Sequence, residues 1–244
     1  MKNNIKPISF LFTMVCILAA SGCFSEQPQQ TPDKERQALN KASLENYTHP
    51  DRWKSDIQSF IDKDKQNPPP PQNAVLFIGS SSIRMWDTKK FFPDVNNINR
   101  GFGGSYVSDS LFFADKIIIP YKPRAIVFYA GDNDSVDNKS SEMILADIQS
   151  LIIKVRESLP NTKFIIISIK PSIQRWQYWQ QMFKTNKMIE NFIKEQQNMY
   201  FVDVSKVMLD STGQPVKDLY KEDGLHLSDK GYELWTSLVK PLIK

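Results

Sequence analysis

The feature that leaves the fewest folds open is a series of uninterrupted apolar runs, each closed by a polar or glycine-rich turn. Residues 74–78, 124–130, 164–169 and 200–204 are such runs, and 95–99 is a short, more polar candidate strand. A strand with one face in water alternates apolar and polar residues, whereas a continuous run is buried on both faces. Helical spacing fills the gaps. Residues 106–119 read as a helix, and Ile144, Ile148, Leu151, Ile152, Val155 and Leu159 share one face behind a cap at Ser140 or Ser141. Residues 174–197 read as a long helix. Ser228 caps a last one, with Tyr232, Leu234, Trp235, Leu238 and Val239 turned inward. Doubly buried strands alternating with helices predict a three-layer α/β/α domain, flavodoxin-like, around a five-stranded parallel sheet. The turns that follow its strands share one edge, where ligands bind in open α/β folds.

Those turns carry the chemistry. The first run ends in Gly79-Ser80-Ser81-Ser82, a strand-to-helix turn that exposes a serine and brings helix N–H groups beside it. Alone, it reads equally as a phosphate-binding or a structural turn. The second is Asn99-Arg100-Gly101-Phe102-Gly103-Gly104, and the third is Gly131-Asp132-Asn133-Asp134. The last, Asp223-Gly224-Leu225-His226, lies between the final strand and the final helix. A serine needs a base to be nucleophilic, and Asp223 stands where it can orient the His226 imidazole. His49, the other histidine, precedes Pro50 in a polar segment that offers no such setting. Gly104 can present a backbone N–H, from what reads as the opening of a helix, and Asn133 an amide N–H to a developing oxyanion. Taken singly, each feature also has a plain structural reading as turn, cap or surface histidine.

The order Ser81, Gly104, Asn133, His226 resembles that of the SGNH hydrolases, also called the GDSL esterase/lipase family, over about residues 52–244. The resemblance implies Ser81 as nucleophile, His226 as base and Asp223 as its orienting acid. It also implies an oxyanion hole of the Ser81 and Gly104 N–H groups and the Asn133 amide, with no metal or organic cofactor. Ser80 and Ser82 stand where the family usually has aspartate and leucine or isoleucine; Ser80 is expected to hydrogen-bond locally without bringing charge. Arg100, Phe102, Asp132, Lys170 and Trp176 fall at or just after strand ends and are candidate substrate contacts. The expected substrate is a small-molecule or glycan ester with a small acyl or O-acetyl group. A lysophospholipase or thioesterase, or a non-catalytic exported ligand-binding protein, are the alternatives.

The N-terminus bears on location. Lys2 and Lys6 precede an apolar stretch, residues 7–20, too short to span a bilayer, and Ala20-Ser21-Gly22-Cys23 is similar to the lipobox of bacterial lipoproteins. Residues 1–22 are therefore expected to be a signal peptide. Cys23 would be the lipidated N-terminus, residues 23–50 a polar tether with a short helix near 34–46, and 51–244 the hydrolase domain. The protein would be exported and anchored in the cell envelope, on the outer membrane facing the periplasm in a Gram-negative host. Cys16 would leave with the signal, so no internal disulfide and no Cys-based metal site remains. The net charge of +4 falls to +2 without Lys2 and Lys6, too mild to suggest nucleic acid as a partner.

Overall fold

The computed structural model describes residues 47–66 and 72–244. The signal peptide, Cys23, the 34–46 helix and the proline run at 68–71 lie outside these residues. In chain order the elements are α1 (Lys54–Gln66), β1 (Val75–Gly79), α2 (Ser81–Arg84), α3 (Thr88–Phe91) and β2 (Asn97–Gly101). Then follow α4 (Val107–Phe112), α5 (Ala114–Ile117), β3 (Ala125–Tyr129), α6 (Asp132–Val136), α7 (Ser141–Ser158) and β4 (Lys163–Ile167). The chain closes with α8 (Trp179–Lys194), β5 (Met199–Val202), α9 (Ser205–Met208) and α10 (Asp229–Val239). The sheet has five strands in the order β2-β1-β3-β4-β5, and every neighbouring pair is parallel. This is the expected α/β/α architecture. Among the described residues no helix is long and apolar enough to cross a membrane.

The inner strands β1, β3 and β4 run apolar because both their faces are covered. Leu76, Ile78, Ile126, Phe128, Phe164 and Ile166 point into one core with α4, α5, α7 and α8. Val75, Phe77, Val127, Tyr129, Ile165 and Ile167 point into another, where Trp86, Phe92, Tyr232 and Trp235 interlock. Residues two apart share a face, so each strand divides its side chains between the two cores.

Element boundaries moved where side chains took over backbone partners. β2 starts at Asn97 rather than 95, because the Asn97 amide donates to the carbonyls of Thr88, Phe92 and Val95 and holds that approach as a turn. β4 stops at Ile167 rather than 169, since Asn186 bonds both the N–H and the C=O of Ile169 in place of a neighbouring strand. The expected 106–119 helix breaks into α4 and α5 at Phe113 and ends in a 3₁₀ turn that contains Pro120. α8 begins only at Trp179, because Gln174 N–H donates to Gly224 C=O and holds the preceding residues against the 223–226 loop. The caps fall as read: Ser140 accepts from Met143 N–H and Ser228 from Gly231 N–H.

Below the third turn, buried Asp134 takes Lys139 Nζ at 3.1 Å, and Lys139 also reaches Asp147 at 2.9 Å. Burial outweighs the pull of Lys139 and pushes the Asp134 carboxyl up to about 7. The folded protein therefore holds a proton there, between its ordinary range and about 7, that the unfolded chain has released. This contribution is present at low pH and is lost as pH rises through about 7. The melting temperature of wild type should fall from pH 5.5 to 8 more steeply than that of Asp134→Asn, as scanning calorimetry would show; parallel slopes would refute the assignment.

Candidate active site

β1 lies between β2 and β3, so its end is flanked by two further strand ends. Gly79 has φ +135°, and a Cβ there would sit 1.9 Å from the Tyr129 carbonyl oxygen, an approach only glycine permits. The chain then turns into α2. Ser80 N–H donates to Tyr129 C=O, and Ile83 and Arg84 N–H donate to Ser80 C=O. Asn99 braces this turn from β2: its amide donates to the Ile83 and Trp86 carbonyls at 2.7 and 3.0 Å. Ser81 is left half-buried at the start of α2, while Ser80 and Ser82 are buried with hydroxyl oxygens that have no partner. Ser80 thus does not make the local bond expected of it; its hydroxyl is buried without a partner.

His226 reaches the turn from the far end of the chain. Its Nε2 is 3.1 Å from Ser81 Oγ, and its Nδ1 is 2.6 Å from Asp223 Oδ2. Asp223 Oδ1 also accepts the N–H groups of Leu225 and His226. Partial burial raises the Asp223 carboxyl, but the His226 ring and these backbone donors outweigh it and hold it down at about 2. Asp223 is therefore ionised at neutral pH and fixes the tautomer in which Nδ1–H donates and Nε2 accepts from the serine hydroxyl.

Gly104 and Asn133 line the same cleft as Ser81 and His226, a space of about 340 Å³. Gly104 has φ +73° and lies before α4, whose first residue is Val107, so it does not open a helix as expected. Asn133 uses one amide hydrogen on the Ser105 carbonyl at 2.9 Å, which fixes the plane of the group.

The other sequence-derived candidates lie elsewhere. Phe102 is fully buried and packs on Trp53 and Phe113. Arg100 turns to the opposite side of β2 from Asn99 and is taken by Asp64, Tyr121 and its neighbour's carbonyl. Alternation along the strand decides this: with Asn99 facing the turn, Arg100 must face away. Lys170 and Asp132 are 1% and 3% exposed and pair with each other beneath the cleft. Trp176 stacks on Trp179 outside it. What reaches the cleft instead is Trp53, Asp56, Arg84, Arg175 and Leu225. Arg84 follows Ser81 by three residues, a spacing that puts both on one side of a helical turn. Trp53 shares a helical spacing with Ile57, Phe60 and Ile61, and Arg175 falls within the expected 174–197 helix, whose first residues are instead held as a loop and a 3₁₀ turn. Among the described residues no three His, Cys, Asp or Glu side chains group as metal ligands.

The parallel sheet brings a serine, an imidazole and a carboxylate into line at its carboxyl edge. The profile of the GDSL-like lipase/acylhydrolase family matches residues 86–234, and the chain belongs to that family. It is thus an ester-hydrolysing enzyme. The fold is shared with a candidate platelet activating factor from Streptococcus pneumoniae, at TM-score 0.70 and 23% identity over 87% of this chain and 99% of that one. A GDSL-like lipase from Bacteroides thetaiotaomicron aligns at TM-score 0.67 and 21% identity over 77% and 96%. An acetylxylan esterase from Geobacillus stearothermophilus aligns at 0.57 and 14% over 70% and 94%. No curated protein sequence matches the chain.

The cleft wall is also tied to the segment before α1. Buried Asp109 accepts from Tyr47 Oη at 2.6 Å, Trp53 Nε1 at 2.9 Å and Tyr106 N–H at 2.7 Å. Tyr47 stacks on Phe112, so packing against the domain begins before residue 51. Asp109→Ala would leave the Trp53 and Tyr106 N–H groups without an acceptor, while Tyr47 Oη keeps the His49 carbonyl, at a cost of roughly 2–4 kcal/mol. Urea unfolding should show that loss as a lower midpoint; an unchanged midpoint would contradict this account.

Proposed function

We propose that the protein is a serine esterase in which Ser81, His226 and Asp223 form the catalytic triad, with small acyl or O-acetyl esters as substrates. The observation that carries this is the unbroken line from Ser81 Oγ through His226 to Asp223, at 3.1 and 2.6 Å. His226 Nε2 takes the Ser81 proton as Oγ attacks the ester carbonyl. The Ser81 and Gly104 N–H groups and the Asn133 amide receive the negative charge on the carbonyl oxygen, each donor contributing about 10²–10³-fold in rate. As the tetrahedral adduct collapses, the C–O bond to the alcohol breaks and the imidazolium proton goes to the leaving alkoxide. Water then attacks the acyl-serine and gives its proton to His226. The acid leaves, and that proton returns to Ser81.

Small acyl groups fit the cleft's modest size and its two apolar lining side chains, Trp53 and Leu225. The fold shared with an acetylxylan esterase agrees with an O-acetyl ester on a carbohydrate. The lipobox-like Ala20–Cys23 sequence adds that the enzyme is exported and lipid-anchored, where it would meet envelope or imported carbohydrates.

Hydrolysis of p-nitrophenyl acetate by the full chain tests the reading. Ser81→Ala should lower kcat about 10³-fold or more and abolish fluorophosphonate labelling, and Asp223→Asn should lower it about 10³–10⁴-fold. Ser80→Ala and Ser82→Ala should stay within about tenfold of wild type. Equal activity of wild type and Ser81→Ala would end the assignment.

A further inference from the structure

Two guanidinium groups at the cleft, those of Arg84 and Arg175, keep donors that no carboxylate takes up. Asp132 Oδ2 accepts from Lys170 Nζ at 3.4 Å and from Arg175 Nη1 at 2.8 Å, one carboxylate between two cations. Lys170 and Asp132 are buried, and the Arg175 guanidinium extends from that pair to the cleft. A buried ion pair is costly to desolvate and does little for stability. Here it holds Arg175 in place, with the donors that Asp132 does not take available to the cleft.

Arg84 adds a second guanidinium. It is exposed and has no hydrogen bond or ion pair among the described residues. It lies across Gly103, where a Cβ would come within 2.9 Å of its Cζ and Nε. Its charged head therefore rests on the backbone next to Gly104. An adjoining lobe of about 300 Å³ shares Gly104, Asn133 and Arg175 and brings Arg52, which donates to Tyr106 Oη at 3.2 Å. Asp56 on the wall pairs with neither Arg84 nor Arg175, and Asp137 accepts from Tyr106 Oη.

We propose that this cleft selects acyl esters whose alcohol carries an oxoanion, a carboxylate or a phosphate, near the scissile bond, with Arg84 and Arg175 as its receptors. This rests on the serine-esterase reading above. Planar guanidinium forks match the geometry of both oxoanions, and an oxoanion would supply the acceptors that Arg84 lacks. The carboxylate source would be an acidic sugar, and the phosphate source a glycerophosphate-type alcohol.

The test compares kcat/KM of the full chain within two matched pairs. One is methyl O-acetylglucuronide against methyl O-acetylglucoside acetylated at the same position; the other is O-acetylglycerol phosphate against O-acetylglycerol. The anionic member of at least one pair should be preferred about tenfold or more at low salt, with the preference shrinking as salt is added. A preference confined to the first pair assigns acidic sugars, and one confined to the second assigns phosphates. Arg84→Gln and Arg175→Gln should each cut the preference to about threefold or less, and Arg84→Lys should keep more of it than Arg84→Gln. Turnover of p-nitrophenyl acetate with no preference in either pair overturns the inference alone, as does a preference that survives both glutamine variants. Failure on every ester, p-nitrophenyl acetate included, overturns the esterase reading and this inference with it.

Discussion

The site depends on the contact between the end of β1 and its two neighbours. Gly79 lies against the Tyr129 carbonyl so closely that no side chain fits between them. That approach lets Ser80 N–H bond Tyr129 C=O on one side while Gly79 C=O accepts from Phe102 N–H on the other. The serine turn is thereby stitched to the glycine turn after β2 and the asparagine turn after β3. Three segments distant in sequence share one hydrogen-bonded edge, and Asn99 adds a side-chain brace from below. Rigid strands rather than loops set the spacing of Ser81, Gly104 and Asn133.

The layout of the sheet was legible because its cause is simple. Strands buried on both faces must be apolar, and such runs at β1, β3 and β4, separated by helical spacing, leave little choice of architecture. The serine, glycine, asparagine and histidine turns were legible for a related reason: each interrupts an apolar run with residues that a core would reject. The strand and helix ends were less so. Asn97 and Asn186 replace backbone partners with their amides, and nothing local in the sequence separates them from solvent-facing asparagines. Side-chain direction was also hidden. Arg100 and Phe102 sit in the right turn but face away from it, whereas Arg175 reaches the cleft from residues that read as the start of a helix and are held as a loop.

Charge is handled differently on the two flanks of the cleft. Around His226 it is locally matched, with Asp223 held ionised by the ring and two backbone donors. On the Asn133 side it is not, since Lys170 and Arg175 share one carboxylate. Beneath that flank, Asp134 stays partly protonated because burial wins over Lys139. Matched charge suits a group that must keep one tautomer, and surplus charge suits a surface that must attract something from solution.

His226 and Asp223 occupy one short loop, closed by the Tyr220–Leu227 bridge and by Lys221 N–H on the His226 carbonyl. Ser81 is 145 positions away in the chain. The base and its acid therefore travel as one body, joined to the serine by the hydrogen bond between Ser81 Oγ and His226 Nε2. The helix that follows their loop carries Tyr232 and Trp235 into the core behind β1 and β3, and Tyr232 Oη donates to Ser82 C=O. The packing that seats the base on the serine is thus part of the packing that closes one face of the sheet.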